Sequence, residues 1–491
     1  MDTFTVFLII IFVIGTIALS QTKHERHLKI FFLIRTKYFI NVIDFISKIT
    51  PRFWTFLSDI SLTLFFGGVG FAYLSKHRNN NLNLIFAITG FIAIMSLSLS
   101  LGMVAFLIML IFLIIALYSL RERNVIADFI IGFTFITIIT LRIPEILSNL
   151  INFSVHLPIW IGLVEGSVGV VPIMFLMFMN QAYDIIFHGS QQPGVSPAIP
   201  DVKNGKLVLS FPGTDISIPI IYALIAIITV LVSHEFAHGI IARVHGIELK
   251  STGLLTVGIL PIGAFVEPDE EKLKNRKSLE KMQIFVAGSF ANLLVSILVG
   301  VLFISLYANI LPVSSIMNSE GMQIVGFAPN STVKSIIKAG EIIYEINNHS
   351  VINTKLFRNV TSKLKPGENI TIVTNKGSYN VKLSEFPENK SKGYMGIFVI
   401  QYNSIINFII NALFWIWFLN FNICFVNLLP IVPFDGWRIL EEIINTFEVN
   451  QKYAIRILKI IVAFSLLLIF LNILPLFNLI IKSIINLFNS I

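Results

Sequence analysis

The sequence contains a single cysteine, Cys424, and few charged residues. One cysteine cannot form an intrachain disulfide, and it excludes a zinc site built mainly from cysteines. Asp, Glu, Lys and Arg make up only 13% of the 491 residues, whereas soluble globular domains contain roughly 25%. This shortage of charge excludes an ordinary soluble protein.

Apolar residues make up 55% of the chain, and the mean hydropathy is +0.81. Because an apolar run of roughly 18 or more residues can cross a bilayer, the pattern predicts about ten transmembrane helices. They lie near residues 4–20, 55–75, 82–99, 102–120, 125–141, 157–179, 217–241, 284–308, 405–428 and 457–474. The predicted fold class is therefore an α-helical polytopic membrane protein. The net charge of +8 favours loops on the cytoplasmic side and anionic lipid as partners, and it does not indicate nucleic acid.

Three segments differ from this membrane composition. Residues 191–216 are rich in proline and glycine, which exclude a helix. Residues 320–387 have a soluble composition, and we expect a small α/β domain between two core helices. Its predicted strands are "MQIVGFA", "EIIYEINN", "ENITIVTN" and "SYNVKLSE", and its predicted helices are "STVKSIIKAG" and "NTKLFRNVTSKL". Residues 21–54 mix basic and apolar residues, which fits either a segment on the cytoplasmic leaflet or a basic loop with a short helix.

The positive charges predict the orientation of the chain. Seven Lys and Arg residues in the loop 242–283 place that loop in the cytoplasm. The next helix then leaves the cytoplasm, so the 320–387 domain lies outside, and the following helix returns. We therefore expect an integral protein of the cell membrane with its chemistry towards the cytoplasmic side.

A costly group of polar residues interrupts one apolar run in "LVSHEFAHG". His234 and His238 are four residues apart, so a helix places both imidazoles on one face. Together with Glu235 they form H-E-x-x-H, in which two imidazoles bind zinc and the glutamate acts as general base on the bound water. Polar residues that pair inside a helical bundle are the alternative, but three of them at this spacing need a strong reason in lipid.

Two further elements are open to more than one interpretation. A catalytic zinc needs a third protein ligand, and Asp435 in "NLLPIVPFDG" is a candidate; a helix-ending Asp-Gly turn explains the same residues. Gly288 and Asn292 in "GSFAN" either serve the site or allow two helices to pack closely.

The three motifs together resemble the site-2 protease family of intramembrane zinc metalloproteases. The resemblance covers about 217–475 and implies His234, His238 and Asp435 as ligands of one Zn²⁺ per chain, with Glu235 catalytic. It further implies substrate binding by Asn292, Gly288 and Asn427. Residues 253–268 resemble the family's membrane-associated β-hairpin, and 320–387 resemble a PDZ domain, although Gly340-Glu341 stands where Gly-Asp is usual.

The resemblance implies an intramembrane zinc metalloendopeptidase that cuts within transmembrane segments of membrane proteins. Its partners would be those substrates, the lipid bilayer and, as an open alternative, a second protease that cuts first. A channel or transporter and an inactive peptide-binding scaffold remain alternative functions. The expected regions are N-terminal helices outside the shared core (1–190), an extracytoplasmic segment (191–216), two core parts (217–308 and 405–475), the PDZ-like domain (320–387) and an amphipathic tail (476–491).

Overall fold

A computed structural model of the chain describes residues 3–22, 25–27, 31–102, 106–107, 110–111, 113–114, 124–151, 157–307, 318–447 and 450–489. Within these ranges the helices are α1 (Thr3–Ser20), α2 (Tyr38–Lys48), α3 (Pro51–Lys76), α4 (Leu82–Leu101), α5 (Val125–Ile151), α6 (Ile159–Val168), α7 (Val170–Phe187), α8 (Ile220–Val244), α9 (Glu270–Lys274), α10 (Ser278–Tyr307), α11 (Thr354–Thr361), α12 (Ser404–Val426), α13 (Asp435–Thr446) and α14 (Gln451–Asn489). The fold is mainly helical, as the apolar runs predict.

Seven of the described helices are long and apolar enough to cross a membrane, which indicates an integral membrane protein. They contain the stretches Pro51–Lys76, Val125–Ile146, Val170–Phe187, Ile220–Val244, Ser278–Tyr307, Ser404–Val426 and Lys452–Ile481. Three more apolar helices are shorter, Thr5–Ser20, Leu82–Ser98 and Ile159–Val168. The expected span at 102–120 lies mostly outside the described residues.

The single span predicted at 157–179 is wrong, because two helices, α6 and α7, occupy this region. Gly169 separates them with φ +87°, a conformation that glycine adopts without steric cost. A β-carbon at Gly169 would lie 1.9 Å from the carbonyl oxygen of Phe65. The break therefore lets the chain approach the backbone of α3, which a continuous helix with a side chain here would prevent. At the other end of the chain, α14 continues through the predicted tail 476–491 as far as Asn489.

A four-stranded antiparallel sheet lies next to α8. The predicted hairpin forms β6 (Leu249–Val257) and β7 (Leu260–Pro268), and two N-terminal strands, β1 (Glu25–His27) and β2 (Phe31–Thr36), join it in the order β1-β2-β6-β7. From the sequence we expect residues 21–54 to form either a segment on the cytoplasmic leaflet or a basic loop with a short helix. The strands β1 and β2 were not predicted. The helix α2 that follows is attached to α8 by an Asp44–Arg243 ion pair.

The proline- and glycine-rich segment folds as a small three-stranded sheet, which we call the outer sheet. Its strands are β3 (Ile199–Lys203), β4 (Lys206–Ser210) and β5 (Ser217–Pro219), in that order. β5 runs directly into α8, because Pro219 suits the position just before a helix. The outer sheet is therefore joined covalently and by packing to the helix that carries H-E-x-x-H.

The chain divides into two compact units, and the second contains residues Leu298–Phe414. The strands in this unit are β8 (Gly321–Phe327), β9 (Ile342–Ile346), β10 (His349–Ser350), β11 (Asn369–Thr374), β12 (Gly377–Lys382), β13 (Ser384–Phe386), β14 (Asn389–Tyr394) and β15 (Ile397–Tyr402). The main sheet has the order β12-β11-β9-β8-β15. The four predicted strands and the helix in "NTKLFRNVTSKL" are confirmed. The helix predicted in "STVKSIIKAG" is wrong, because this stretch forms turns.

A buried polar network ties α3 to α10. Asp59 is fully buried and accepts hydrogen bonds from Gln283 Nε2 at 2.6 Å and from Asn81 Nδ2 at 2.7 Å. Gln283 in turn contacts His245 Nε2 through its side-chain oxygen at 2.8 Å. Buried polar groups need such partners, so this network fixes how the N-terminal helices pack on the helix that contains Gly288.

We predict that Asp59→Ala lowers the free energy of unfolding by roughly 1–3 kcal/mol, because Gln283 and Asn81 lose a buried acceptor. Thermal unfolding in detergent, followed by tryptophan fluorescence, measures the effect. Asp184→Ala is the matched control, since Asp184 forms an exposed pair with His188 and such pairs contribute little. Equal unfolding temperatures for the two variants would contradict the structural role of Asp59.

Candidate metal centre and active site

The two histidines lie in the second half of α8, among residues that favour a long apolar helix. The helix ends before Gly246, whose φ of +71° reverses the chain. His234 and His238 lie one turn apart, with ring centroids 4.7 Å from each other and the ring planes 75° apart in an edge-to-face arrangement. Their Nε2 atoms are 3.1 Å apart and point to the same space. The spacing predicted from the sequence is therefore the spacing in the structure.

Asp435 reaches the same space from the first residue of α13. The chain folds back after α12, and Gly436 N–H donates to the Asn427 carbonyl at 2.8 Å. A β-carbon at Gly436 would lie 2.1 Å from the Leu428 carbonyl oxygen. Only glycine permits this approach, and the loop it closes directs the Asp435 carboxylate towards the two imidazoles.

The three donor atoms form an almost equilateral triangle. Asp435 Oδ2 lies 3.2 Å from Nε2 of His234 and 3.2 Å from Nε2 of His238. Ligand distances of 2.0–2.2 Å in tetrahedral geometry imply roughly 3.3 Å between neighbouring ligand atoms. Two imidazole nitrogens and one carboxylate oxygen are also a donor set that zinc accepts. The residues therefore fit a zinc ion with an open fourth position.

Gly288 on α10 forms the floor of this space. A β-carbon at Gly288 would lie 2.3 Å from His238 Nε2 and 2.7 Å from His234 Nε2. A side chain here would push the donor atoms apart. The glycine of "GSFAN" is thus explained by the close approach of the two imidazole rings rather than by helix packing alone.

Neighbouring polar groups orient both imidazoles. His238 Nδ1 donates to the Ile284 carbonyl at 2.7 Å, which leaves Nε2 free to bind a metal. His234 Nδ1 lies 3.3 Å from the Asn292 amide and 3.4 Å from the Asn427 amide. The structure brings the two asparagines together at the back of one ligand, and their predicted contact with substrate stays a prediction.

Charge favours an ionised Asp435. Burial by itself raises the pKa of the carboxyl group, but the adjacent His238 and His234 rings outweigh burial and hold the pKa below its usual range. An ionised carboxylate is the form that binds a metal.

Glu235 lies beside the three donors and is not one of them. Its Oε2 accepts a hydrogen bond from the backbone N–H of Val266 on β7 at 2.9 Å. The general base predicted from the sequence is therefore held against the hairpin of β6 and β7. Sequence reasoning missed the Ser233 hydroxyl, which donates to Asn292 Oδ1 at 2.7 Å; no motif marked it.

A cavity of about 990 Å³ opens onto the site, and we call it the chamber. His234, Glu235, His238 and Asp435 all line it. Its walls come from the outer sheet, α8, β7, the end of α12 and the start of α13, including Leu209, Val230, Leu231, Ile262, Ala264, Leu419 and Ile423. The metal-binding group is thus accessible to an apolar ligand within the membrane part of the chain.

The model of peptidase family M50 matches residues 222–471. This chain belongs to peptidase family M50. The family uses zinc, which agrees with the three converging donors. A relative in Methanocaldococcus jannaschii, an uncharacterized protein, is 29% identical over 241 residues, which are 46% of this chain and 59% of the relative. This M50 chain therefore spans less than two thirds of that relative's length.

One solved structure resembles part of this M50 chain. It is the PDZ domain of the SdrC-like protein from Listeria monocytogenes, with 18% sequence identity, covering 17% of this chain and 92% of that domain. The TM-score is 0.16, which decides nothing about the fold of the second unit. A PDZ-like role of this unit stays a prediction from the sequence.

We predict about one zinc per chain in the purified protein and a loss of most of it in Gly288→Ala, because the added methyl group would occupy the space between the imidazoles. Elemental analysis after gel filtration measures zinc. Gly263→Ala is the matched control: its β-carbon meets Leu255 at 3.5 Å, an ordinary contact. Asp435→Ala should lose zinc as well. Full zinc in Gly288→Ala would contradict the geometry of the site.

Proposed function

We propose that this protein is an intramembrane zinc endopeptidase that hydrolyses peptide bonds within transmembrane segments of other membrane proteins. The convergence of three zinc-type donors beside Glu235, inside a chamber lined by membrane helices, carries this proposal. Neither a transport pathway nor a peptide-binding scaffold requires three such ligands with a base next to them.

Zinc bound by His234, His238 and Asp435 would lower the pKa of a bound water to roughly 7 and polarise the scissile carbonyl. Glu235 then takes a proton from the attacking water and transfers it to the nitrogen of the leaving amine. Asn292 and Asn427 keep the His234 ring in place during this exchange. Hydrolysis splits the C–N bond and consumes one water.

The edge of β7 offers a place for the substrate backbone. One side of β6 pairs with β2, and no strand within the described residues pairs with the far side of β7. Val266 N–H points from that side to Glu235. A peptide strand that adds to β7 would regain the backbone hydrogen bonds lost on unwinding in lipid, and it would lie beside the base.

The position of the site along α8 supports cleavage towards the cytoplasm. His238 is six residues from the end of α8, about 9 Å at 1.5 Å per residue, and the basic loop 242–283 follows. The positive-inside rule puts this end in the cytoplasm. The 320–387 domain then lies outside, where it would select substrates that another protease has already shortened.

We predict that Glu235→Gln keeps zinc and fold but lowers hydrolysis by at least roughly 10²–10⁴-fold, because glutamine preserves size and cannot accept the proton. Zinc content and cleavage of a single-span reporter in liposomes are measured on the same preparation. Glu271→Gln, in the exposed short helix α9, is the control and should cleave at the wild-type rate.

Two results would count against this role of Glu235. A wild-type cleavage rate in Glu235→Gln would remove the proposed mechanism, and loss of zinc would make the glutamate structural. The wild-type cut should fall inside the apolar span of the reporter, towards its cytoplasmic end. Cuts confined to the external loop would contradict intramembrane cleavage.

Most of the second unit can be deleted as one continuous segment. Glu320 N–H donates to the Tyr402 carbonyl at 2.8 Å, so the two ends of the segment 320–402 are adjacent, and a short Gly-Ser linker can replace it. We predict that the deletion keeps zinc and increases cleavage of reporters with long external domains relative to short ones. Equal selectivity before and after deletion would contradict a gating role, and loss of zinc would assign the unit a structural role.

A further inference from the structure

The chamber extends far beyond the metal-binding group. At its other end it is lined by four residues of the outer sheet and its flanks, Ala198, Pro200, Leu209 and Phe211. The family match begins only at residue 222. These four residues, which we call the outer wall, therefore belong to a part of the chain that lies outside the shared family region, yet they face the same cavity as the catalytic group.

The outer wall is a fixed surface. Leu209 pairs with Ile218 across β4 and β5, and Ile218 is fully buried against Ala223 of α8. Trp415 and Leu419 of α12 pack against the same cluster. The preceding chain is held as well, because Gly194 N–H donates to the Asn472 carbonyl at 3.1 Å. A wall packed on α8 and α12 has a defined position relative to His234 and His238, which lie on α8.

The distance to the metal follows from the helix. Leu209 of the outer wall packs with Ala223 of α8, and eleven residues separate Ala223 from His234, which is about 16 Å at 1.5 Å per residue. Ile227, Val230 and Leu231 line the chamber between these points. The chamber thus contains an apolar path of about 16 Å, long enough for roughly 11 residues of helix or five of extended chain.

We propose that the outer wall is a substrate-binding subsite for the outer half of the transmembrane segment that is cut at the metal. The inference rests on the proposed protease function. It adds the residues that contact the substrate at positions distant from the cleaved bond. The occupant is an apolar peptide segment, because the wall and the path from it are apolar and continuous with the catalytic group. Phe211 presents the largest side chain and sets which substrate residues fit.

Position-specific crosslinking tests the subsite. Cys424 is buried and is the single cysteine, so a Cys424→Ser, Glu235→Gln background accepts new cysteines one at a time. Ala198→Cys and Phe211→Cys face the chamber. Ile199→Cys is the matched control, because Ile199 is the next residue along the chain, is 44% exposed and does not line the chamber.

Each variant is combined with single-span reporters that carry one cysteine at successive positions, and disulfide formation is measured in liposomes. The wall cysteines should crosslink at least tenfold more than Ile199→Cys. Their partners should lie roughly 10–12 residues outside the cut bond if that part of the substrate stays helical, or roughly five if it is extended. Crosslinks from the wall no stronger than from Ile199→Cys would overturn the subsite.

Steady-state kinetics give a second readout in the wild-type background. Phe211→Ala should lower kcat/KM roughly tenfold for a reporter with a bulky outer segment, with zinc unchanged, because an apolar contact is lost. Phe211→Leu should restore most of the rate. Unchanged kcat/KM in Phe211→Ala would contradict the subsite while leaving the protease function intact. A reporter that the wild-type protein leaves uncut would count against the protease function itself.

Discussion

Two imidazoles and a carboxylate have to remain in place inside a bundle of apolar helices, and the surroundings of the site follow from this requirement. Polar groups at membrane depth are costly unless they find partners. His238 has the Ile284 carbonyl and His234 has two amide groups on the side that faces away from the donor triangle. Each imidazole thus has a polar partner behind it, and both histidines also line the chamber.

The same requirement explains why two positions at the site are glycines. Gly288 makes room for the two Nε2 atoms, and Gly436 lets the loop after α12 approach the backbone of Leu428. Broken backbone at membrane depth is tolerated where it is buried in protein or lines a cavity. Both glycines lie in motifs that sequence reasoning connected with the site, but only the geometry shows that close approach is the reason for them.

The parts of the site that the sequence predicted are those with a local pattern. Histidines four residues apart share a helix face whatever surrounds them, and Asp435 is marked by the prolines and glycine around it. Pairing between distant strands leaves no such signal, so β2 beside β6 was missed. In "STVKSIIKAG" the helical period was misleading, because Val333 and Ile337 are both fully buried although this stretch forms only turns.

Regions outside the family match support the surfaces that surround the metal-binding group. A hairpin of two strands is marginally stable alone, and β2 with β1 extends β6 and β7 to four strands. Because β2 occupies the far edge of β6, the edge of the hairpin that stays open within the described sheet is the one next to Glu235. The outer sheet limits the opposite end of the chamber. The metal-binding group lies in the matched region, whereas the strands that extend the hairpin and the outer sheet that lines the chamber come from the N-terminal half. The surroundings of the chamber therefore depend on residues that the family model does not match.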